Sequence, residues 1–383
     1  MNITIGVDAT NVRQGGGVAH LVEIFRKVNP EEHGILRVVI WSNINTLKSI
    51  GDYPWLIKCR SSSFEKGLLR RVFWQKFCLS RAAKAMNCDL LFVPGGNYIG
   101  SFRPIVTMSQ NMLPFDWYQL SHYGLSIQSL RLLILRLLQS KSFQRADGVI
   151  FLTKFARDSV LKIIGPVKGQ TPIIGHGLDS RFQMMPRQQL PIKNYGIDNP
   201  YRVIYVSIID QYKHQWHVIE AISMLRSEGF PVVLELVGPS YKPALKRLNK
   251  TLAMFDADRS WVTYHGDIPF DSLHHYYAQA DLGLFASSCE NMPNILLEMM
   301  GSGLPIVCSN WGPMPEMLED SGVYFDPEQP KDIAGALRVM IESPKLRSEL
   351  AEASYLRSQQ YSWKHCAEAT FCFFSKIALE KRI

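Results

Sequence analysis

The chain has 383 residues, of which 46% are hydrophobic and 20% charged, and a formal net charge of +8 at pH 7. This length exceeds that of one ordinary core and predicts two α/β domains. The composition is typical of a soluble globular protein. Because the chain contains no run of eighteen uncharged apolar residues, we expect no membrane-spanning helix.

The positive charge is concentrated in the first half. Residues 1–180 carry 22 Lys and Arg against 11 Asp and Glu, whereas residues 181–383 carry 20 against 23. This asymmetry predicts an anionic partner for the first half, either a membrane surface or a phosphorylated acceptor, rather than nucleic acid.

Cysteine usage and the first residues indicate the compartment. The seven cysteines lack regular spacing and stand mostly in apolar contexts. They predict reduced thiols rather than a disulfide framework or a zinc site. The opening MNITIGVDAT reads as a strand and lacks the basic and apolar regions of a signal peptide. We expect a cytoplasmic protein and leave open a peripheral position on the inner face of the cell membrane.

Short apolar strands alternate with helices in the first half, which predicts a doubly wound parallel sheet. A helix is predicted over Val18–Val28, after the first strand. The predicted strands are Ile3–Val7, Val38–Trp41, Leu90–Val93, Ile105–Met108 and Gly148–Leu152.

Two longer helices are predicted over Gly67–Met86 and Leu125–Arg145, each with an apolar stripe beside several basic residues. Helices of this composition can lie in the headgroup layer of an anionic membrane. They can equally pack their apolar faces on the sheet and leave the arginines solvated. The sequence leaves both interpretations open.

A Pro-rich and polar passage ends the first domain, which we place at residues 1–182, with a linker at 183–200. A second domain at 201–362 then repeats the alternation, with a helix over His217–Ser227, and an amphipathic helix occupies 363–383. The predicted strands of the second domain are Val203–Val206, Val232–Val237, Trp261–Tyr264, Leu282–Phe285 and Ile306–Ser309.

A glycine triplet, Gly15 to Gly17, follows the first strand. Without a Cβ, such residues let the backbone approach a phosphate or a sugar closely. The spacing is not GxGxxG, so a flexible loop is the alternative. The position at the carboxyl end of a strand, where open α/β sheets bind ligands, favours binding through Gly16 and Gly17.

The segment from Phe285 to Phe325 carries the strongest functional signal. Glu290 stands on the turn before an apolar helical run that opens at Pro293, and Glu298 follows two helical turns later on roughly the same face. A helix N-terminus offers free N–H groups to a diphosphate or to sugar oxygens. The alternative is an amphipathic helix with two solvated glutamates.

This arrangement resembles the paired-glutamate signature of the group 1 (GT4-family) retaining glycosyltransferases. Ser288-Cys-Glu-Asn-Met-Pro-Asn294 and Gln110-Asn-Met-Leu-Pro-Phe115 look like bacterial polysaccharide and O-antigen assembly enzymes. The resemblance implies the α/β class and the GT-B fold, with two Rossmann-like doubly wound domains facing each other across a cleft. It also implies that the last helix returns to the first domain.

The resemblance also implies which residues bind the donor. Glu290 holds the donor sugar, Glu298 the ribose, and Lys213 neutralises the diphosphate, whereas Ile208 stands where an arginine is usual. Taken alone, Lys213 reads as a surface lysine, and a glycine after a strand is common in any α/β protein. The implied donor site is Gly16, Gly17, Ser207, Lys213, Gly238, Gly266, Ile268, Glu290, Asn291, Met292, Asn294, Ile295 and Glu298, with Lys213 and Glu290 as the catalytic residues.

The implied acceptor side comprises Gln110, Asn111 and His176. Gln110 occupies the position of a usual family histidine, and an amide cannot shuttle a proton at neutral pH. This leaves a front-face route in which the donor's own phosphate accepts the acceptor proton. The alternatives are a turn before Pro114 for the two amides and a hinge role for His176.

No HxxxH or HExxH pairing occurs, and the first half has no Asp-x-Asp, so we expect neither a metal nor another cofactor. The resemblance implies transfer of a hexosyl group, mannose-like, from a nucleotide-diphosphate sugar. The acceptor is a glycan or a polyprenyl-diphosphate-linked glycan of bacterial surface polysaccharide synthesis. The alternatives are a nucleotide-sugar 2-epimerase and a catalytically silent, membrane-associated relative.

Overall fold

The computed structural model describes residues 2–13, 15–60 and 67–380. The chain divides into a first unit of residues 1–120, 124–177 and 361–383 and a second unit of residues 121–123 and 178–360. The predicted linker, 183–200, therefore lies within the second unit, and the last helix lies within the first.

The first unit contains a six-stranded parallel sheet in the order β3-β2-β1-β4-β5-β6. Most of its strand residues are buried and apolar, as expected for a sheet covered on both faces. The strands are β1 Ile3–Asp8, β2 Ile35–Ser42, β3 Leu56–Arg60, β4 Leu90–Val93, β5 Ile105–Met108 and β6 Gly148–Ile150.

Eight α-helices and one π-helical turn of the first unit lie in its described part. They are α1 Gly16–Lys27, α2 Ile44–Ser49, α3 Leu68–Phe73, the π-helical turn Trp74–Cys78, α4 Leu79–Ala85, α5 Trp117–Ser121, α6 Ile127–Arg145, α7 Lys154–Ile164 and, at the end of the chain, α15 Trp363–Glu380. One residue of α5, Ser121, belongs to the second unit.

The second unit repeats the same strand order, β12-β11-β10-β7-β8-β9, again with all strands parallel. The strands are β7 Tyr201–Val206, β8 Val232–Val237, β9 Val262–Tyr264, β10 Leu282–Phe285, β11 Ile306–Ser309 and β12 Val323–Phe325. The helices are α8 Gln215–Ser227, α9 Lys242–Phe255, α10 Leu273–Gln279, α11 Asn294–Gly301, α12 Met314–Leu318, α13 Pro330–Glu342 and α14 Pro344–Ser358.

The predicted class, two doubly wound α/β sheets, is confirmed, but two edge strands were missed and one predicted helix differs. The edge strands β3 and β12 escaped prediction because β3 is polar and half-buried and β12 has only three residues. The helix predicted over Gly67–Met86 is interrupted by the π-helical turn. Within the described residues, no helix combines the length and the apolar character needed to cross a bilayer.

In each sheet the order of the strands reverses at one point, which lies between β1 and β4 in the first sheet and between β7 and β10 in the second. Sheets of this topology bind ligands at the carboxyl edge beside that point, because the two connecting loops diverge there. Glu290 follows β10 and Lys213 follows β7, so the topology brings the predicted pair to this place.

A fully buried arginine fastens the predicted linker to the second unit. The Arg347 guanidinium donates to the carbonyls of Met340 and Ile341 at 2.6 Å, to the carbonyl of Leu190 at 2.5 Å and to Oε1 of Gln189 at 3.1 Å. Two of these carbonyls belong to the last turn of α13, where a cation also favours the helix dipole.

Replacing Arg347 by Met is expected to destabilise the second unit by about 3 kcal/mol, because several buried carbonyls lose their donor at once. For a unit of this size, the midpoint of thermal unfolding falls by about 6–12 °C. The control is Arg338→Met on the preceding helix α13, which removes a surface pair with Glu228 worth about 0–1 kcal/mol. Equal midpoints for the two variants, measured by calorimetry, would contradict this role of Arg347.

Candidate functional site

The centre of the candidate site is a direct contact between Lys213 and Glu290. The Lys213 ammonium donates to Oε1 of Glu290, and the two side chains are only 5% and 16% exposed. The ammonium also lies 5.0 Å from the ring centroids of Tyr212 and Phe285. Burial of this kind strengthens the attraction within the pair. Removing either partner alone would destabilise the protein, because the other charge would stay buried without a counter-ion.

Hydrogen bonds to the flanking backbone hold this pair in place. The hydroxyl of Tyr205, a residue of β7, donates to the Lys213 carbonyl at 2.7 Å. The Ser288 amide donates to the Tyr212 carbonyl at 2.9 Å, which ties the loop after β10 to the loop after β7. These hydrogen bonds tie the two loops to β7 and to each other, which preorganises the two charges.

The first turn of α8 follows Lys213 directly. His214 has a positive φ of 52°, and no side chain of a described residue caps the helix, so the N–H groups of Gln215 and Trp216 are left without an intrahelical acceptor. Nε2 of His214 lies 2.7 Å from Oγ of Ser288. Burial, followed by the neighbouring His217, lowers the pKa of His214 to about 3. His214 is therefore neutral at pH 7 and does not replace the arginine that Ile208 displaces.

Gln215 was not predicted as a site residue. Its Nε2 donates to Oγ of Ser207 at 2.8 Å and to the Ile208 carbonyl at 2.9 Å, while its buried Oε1 has no hydrogen-bond partner among the described residues. A buried acceptor without a donor is costly unless a ligand supplies one. No sequence signal marks this glutamine, because only the fold brings it to the end of β7.

The structure brings Ser207, Gly238 and Gly266 together. The Gly238 amide donates to the Gly266 carbonyl at 2.8 Å. A Cβ on Gly238 would lie 2.3 Å from the Ser207 carbonyl oxygen, and the φ of 136° is one that only glycine adopts easily. Glycine at this position is therefore required by the packing of β7 against β8, whatever it also binds. Ile268 is half-buried two residues after Gly266.

The predicted residues around the start of α11 differ in exposure. Asn291 and Met292 are buried, whereas Asn294 and Ile295 in the first turn are half-buried. Pro293 is the N-cap residue, and within the described part of the chain no side chain caps the helix. The helix begins four residues after Glu290, and binding of a ligand by its first N–H groups stays a prediction.

Glu298 lies apart from the pair, on the part of α11 that packs inside the unit. Its carboxylate accepts a hydrogen bond from the Tyr277 hydroxyl at 3.2 Å. Burial raises the pKa of Glu298 to about 8, and the neighbouring Asp179 also raises it. The predicted contact with a ribose stays a prediction, and with a pKa of about 8 the carboxyl group is mostly protonated at pH 7.

Glu298 should make the second unit less stable as the pH rises. The pKa of Glu298 is higher in the folded protein than in the unfolded chain, so protonation of this group stabilises the folded state by a few kcal/mol. This contribution is complete below the pKa of the unfolded chain and is lost as the pH rises through about 8. Between pH 5 and pH 8, the thermal midpoint of the wild type should fall more steeply than that of Glu298→Gln. The exposed Glu352→Gln serves as the control, and equal slopes for all three proteins would contradict the expectation.

In the first unit, the glycine loop and Gln110 lie together. Gly16 opens α1 and is exposed, and a Cβ on Gly17 would lie 3.0 Å from Oε1 of Gln110. Nε2 of Gln110 lies 3.1 Å from the Met108 sulfur. The absence of a Cβ at Gly17 thus leaves room for the amide of Gln110 at the carboxyl edge of the first sheet.

The other two acceptor-side residues have structural partners. Oδ1 of Asn111 accepts from the Leu113 amide at 3.0 Å, as in the alternative of a turn before proline. His176 is buried, and its ring stacks on that of Trp363 at 5.4 Å and lies 5.1 Å from that of His20. This burial favours a structural role for His176, and its contact with an acceptor stays a prediction.

A second unpredicted residue, Asp8, lies at the carboxyl end of β1. Its carboxylate accepts from the Thr10 hydroxyl at 2.7 Å and from Nε2 of Gln75 at 2.7 Å. Burial raises the pKa of Asp8. The contact fixes the π-helical turn, to which Gln75 belongs, beside the ligand-binding edge of the first sheet.

Among the described residues, no group of three or more His, Cys, Asp and Glu side chains is arranged to hold a metal ion.

Comparison with solved structures identifies the fold. Sucrose-phosphate synthase from Thermosynechococcus elongatus superposes with a TM-score of 0.75 at 17% identity, covering 99% of this chain and 100% of that one. WaaG, a glycosyltransferase involved in lipopolysaccharide biosynthesis, superposes with a TM-score of 0.67 at 16% identity, covering 97% and 99%. The chain therefore has the GT-B fold, as predicted.

Sequence comparison identifies the family of the second unit. Residues 200–343 match the model described as Glycosyl transferases group 1. The O-antigen chain mannosyltransferase B of Escherichia coli is 21% identical over 235 residues, which cover 60% of this chain and 61% of that relative. Residues 200–343 are a group 1 glycosyltransferase domain, and the predicted resemblance is confirmed there.

Proposed function

We propose that the protein is a retaining glycosyltransferase. It transfers a hexosyl group from a nucleotide-diphosphate sugar to a glycan, or to a polyprenyl-diphosphate-linked glycan, in bacterial surface polysaccharide synthesis. The proposal rests on the buried Lys213–Glu290 pair, which follows β7 and β10, the two strands between which the strand order of the second sheet reverses. An ammonium directly before the N-terminus of α8 suits a diphosphate, and a neighbouring carboxylate suits sugar hydroxyls.

The pair has a direct role in this reaction. When the donor binds, its diphosphate becomes the partner of the Lys213 ammonium, and Glu290 is released to accept hydrogen bonds from the sugar. The bond between the anomeric carbon and the phosphate oxygen then breaks while the acceptor oxygen attacks from the same face. The departing phosphate takes the acceptor proton. Charge on the leaving group is stabilised by Lys213 and by N–H groups of α8 and α11, without a metal or other cofactor.

The donor and acceptor assignments rest on different observations. A mannose-like sugar is supported by the O-antigen mannosyltransferase among the relatives. In the first unit, Gln110 presents a neutral amide beside Gly17, which suits hydrogen bonding to a sugar hydroxyl. The +11 excess of charge over residues 1–180 supports a phosphorylated acceptor and a position at an anionic membrane surface, on its cytoplasmic side.

A panel of nucleotide sugars tests the proposal through thermal unfolding. A bound donor raises the midpoint by mass action, by an amount that corresponds to about 2.7 kcal/mol at a concentration of 100 Kd. We expect a GDP-linked or UDP-linked hexose to stabilise the wild type and not Lys213→Met. Stabilisation by no member of the panel would contradict the proposal. Conversion of the donor into a free epimer, without transfer to any acceptor, would indicate the 2-epimerase alternative instead.

A further inference from the structure

A buried histidine, His214, stands between Lys213 and the first turn of α8. It is 3% exposed and has a φ of 52° and a ψ of 29°. This left-handed backbone conformation is uncommon for residues other than glycine, which adopts it without strain. A side chain retained at such a position has to compensate for the strain through its own contacts, so its contacts indicate its role.

The His214 ring contacts the turn that carries Glu290. Its Nε2 lies 2.7 Å from Oγ of Ser288, which stands two residues before Glu290. The Ser288 hydroxyl donates to the Tyr212 carbonyl at 3.2 Å, so its single proton is used there. Oγ of Ser288 is therefore the acceptor, and Nε2 of His214 carries the hydrogen that is donated to it.

The other ring nitrogen, Nδ1, keeps His214 neutral. It is buried and has no hydrogen-bond partner among the described residues, so protonation would add a buried N–H without an acceptor. The ring of His217 stacks on that of His214, with the centroids 5.3 Å apart and 16° between the planes. His214 is thus a neutral donor of fixed orientation, and it does not compete with Lys213 for a phosphate.

The bond between His214 and Ser288 gains importance when the donor enters the site. In the structure, the contact between Lys213 and Glu290 also joins the two turns. The proposed reaction opens that contact, because the diphosphate becomes the partner of the ammonium and the sugar that of the carboxylate. The bonds of Ser288 to His214 and to the Tyr212 carbonyl involve neither charge, so they remain. They then set the distance between the two charges, which has to match the donor.

We propose that His214 is a positioning residue of the transfer reaction, an inference that rests on the proposed function. Its bond to Ser288 holds the turns of Lys213 and Glu290 at a fixed distance after their direct contact has opened. Without the bond, the diphosphate still binds at Lys213, but Glu290 no longer holds the sugar in the correct place. A displacement of about 1 Å can lower a rate by a factor of about 10². Turnover therefore depends on His214, whereas the affinity for the diphosphate does not.

Replacing His214 by Gly in the full chain tests the side chain alone, because glycine adopts the same φ without strain. Turnover of a nucleotide-linked hexose should fall at least about tenfold, while the calorimetric affinity for the nucleoside diphosphate should stay within a factor of about three. Ser288→Ala should have the same effect, and the double variant should be no worse than either single one, since all three lack one bond.

A conservative variant and a control complete the series. In His214→Gln, the amide can donate from about the position of Nε2, so turnover should recover by at least a factor of about three over His214→Gly. The control His275→Ala removes an exposed histidine of α10 and should turn over like the wild type.

Turnover of His214→Gly within a factor of about two of the wild type overturns the proposal. So do equal losses of turnover and of diphosphate affinity, which indicate a merely structural role, and so do additive losses in the double variant. The thermal midpoints of the wild type, the two single variants and the double variant test the bond without any donor. Non-additive losses of the midpoint support the bond, and additive losses overturn it. Absence of turnover in the wild type with every hexose donor would instead contradict the proposed function.

Discussion

Replacing Glu290 by Gln is expected to lower the turnover number by a factor of about 10²–10³, which corresponds to about 3–4 kcal/mol of transition-state stabilisation. The amide keeps the shape of the side chain and can still accept a hydrogen bond from Lys213, whose ammonium contacts Glu290 in the structure. It lacks the charge that orients the sugar and supports positive character at the anomeric carbon. Donor affinity should change far less than turnover, because the diphosphate is held mainly by Lys213 and helix N–H groups.

Steady-state kinetics and calorimetry separate these two effects. The matched control is Glu352→Gln, which removes an exposed carboxylate from α14 and should leave turnover unchanged. Circular dichroism should show that both variants remain folded, with a somewhat lower thermal midpoint for Glu290→Gln because Lys213 loses a counter-ion. Turnover of Glu290→Gln within a factor of about two of the wild type would exclude Glu290 from the reaction.

Replacing Lys213 by Met is expected to weaken donor binding by at least a factor of about 100, or about 2.7 kcal/mol. Lys213 is the cation of the loop after β7, since Ile208 is apolar and His214 is neutral at pH 7. Without it, the diphosphate is left with helix N–H groups alone, and Glu290 becomes a half-buried carboxylate without its partner. Turnover should fall as well, because the same ammonium stabilises the departing diphosphate.

Titration calorimetry with the nucleoside diphosphate alone isolates the phosphate contribution. The control variant Lys250→Met removes an exposed lysine of α9 and should bind the diphosphate like the wild type. The loss in Lys213→Met should be equal for the diphosphate and for the full donor, since the lysine contacts only the phosphates. If Lys213→Met binds the nucleoside diphosphate as tightly as the wild type does, the diphosphate binds at another site.

Much of the second unit was predictable because its signals are local. Three strands, β8, β10 and β11, begin and end at the predicted residues, since continuous β-branched and apolar runs mark buried parallel strands. The pairing of Lys213 with Glu290 was also predictable, because residues after two parallel strands meet at one edge of the sheet. The roles expected for Glu290 and Glu298 came from the resemblance to the paired-glutamate motif.

The features that escaped prediction depend on tertiary packing. Glu298 was expected along roughly the same face as Glu290, which stands on the turn before α11, but Glu298 is buried against Tyr277, and only the fold determines which face of a short helix is covered. Gln215 gave no signal because its role depends on Ser207 across a turn. The apolar stripe of α6 is exposed instead of packed on the sheet, and the sequence could not distinguish it from a core stripe, since the two have the same spacing.

A crystal structure of the protein with a nucleoside diphosphate bound shows directly whether Lys213 holds the phosphates. We predict phosphate oxygens within about 3 Å of the Lys213 ammonium, beside the first turns of α8 and α11, with the Glu290 carboxylate separated from Lys213 and free for a sugar. A diphosphate bound at another place, with the contact between Lys213 and Glu290 unchanged, would contradict this prediction.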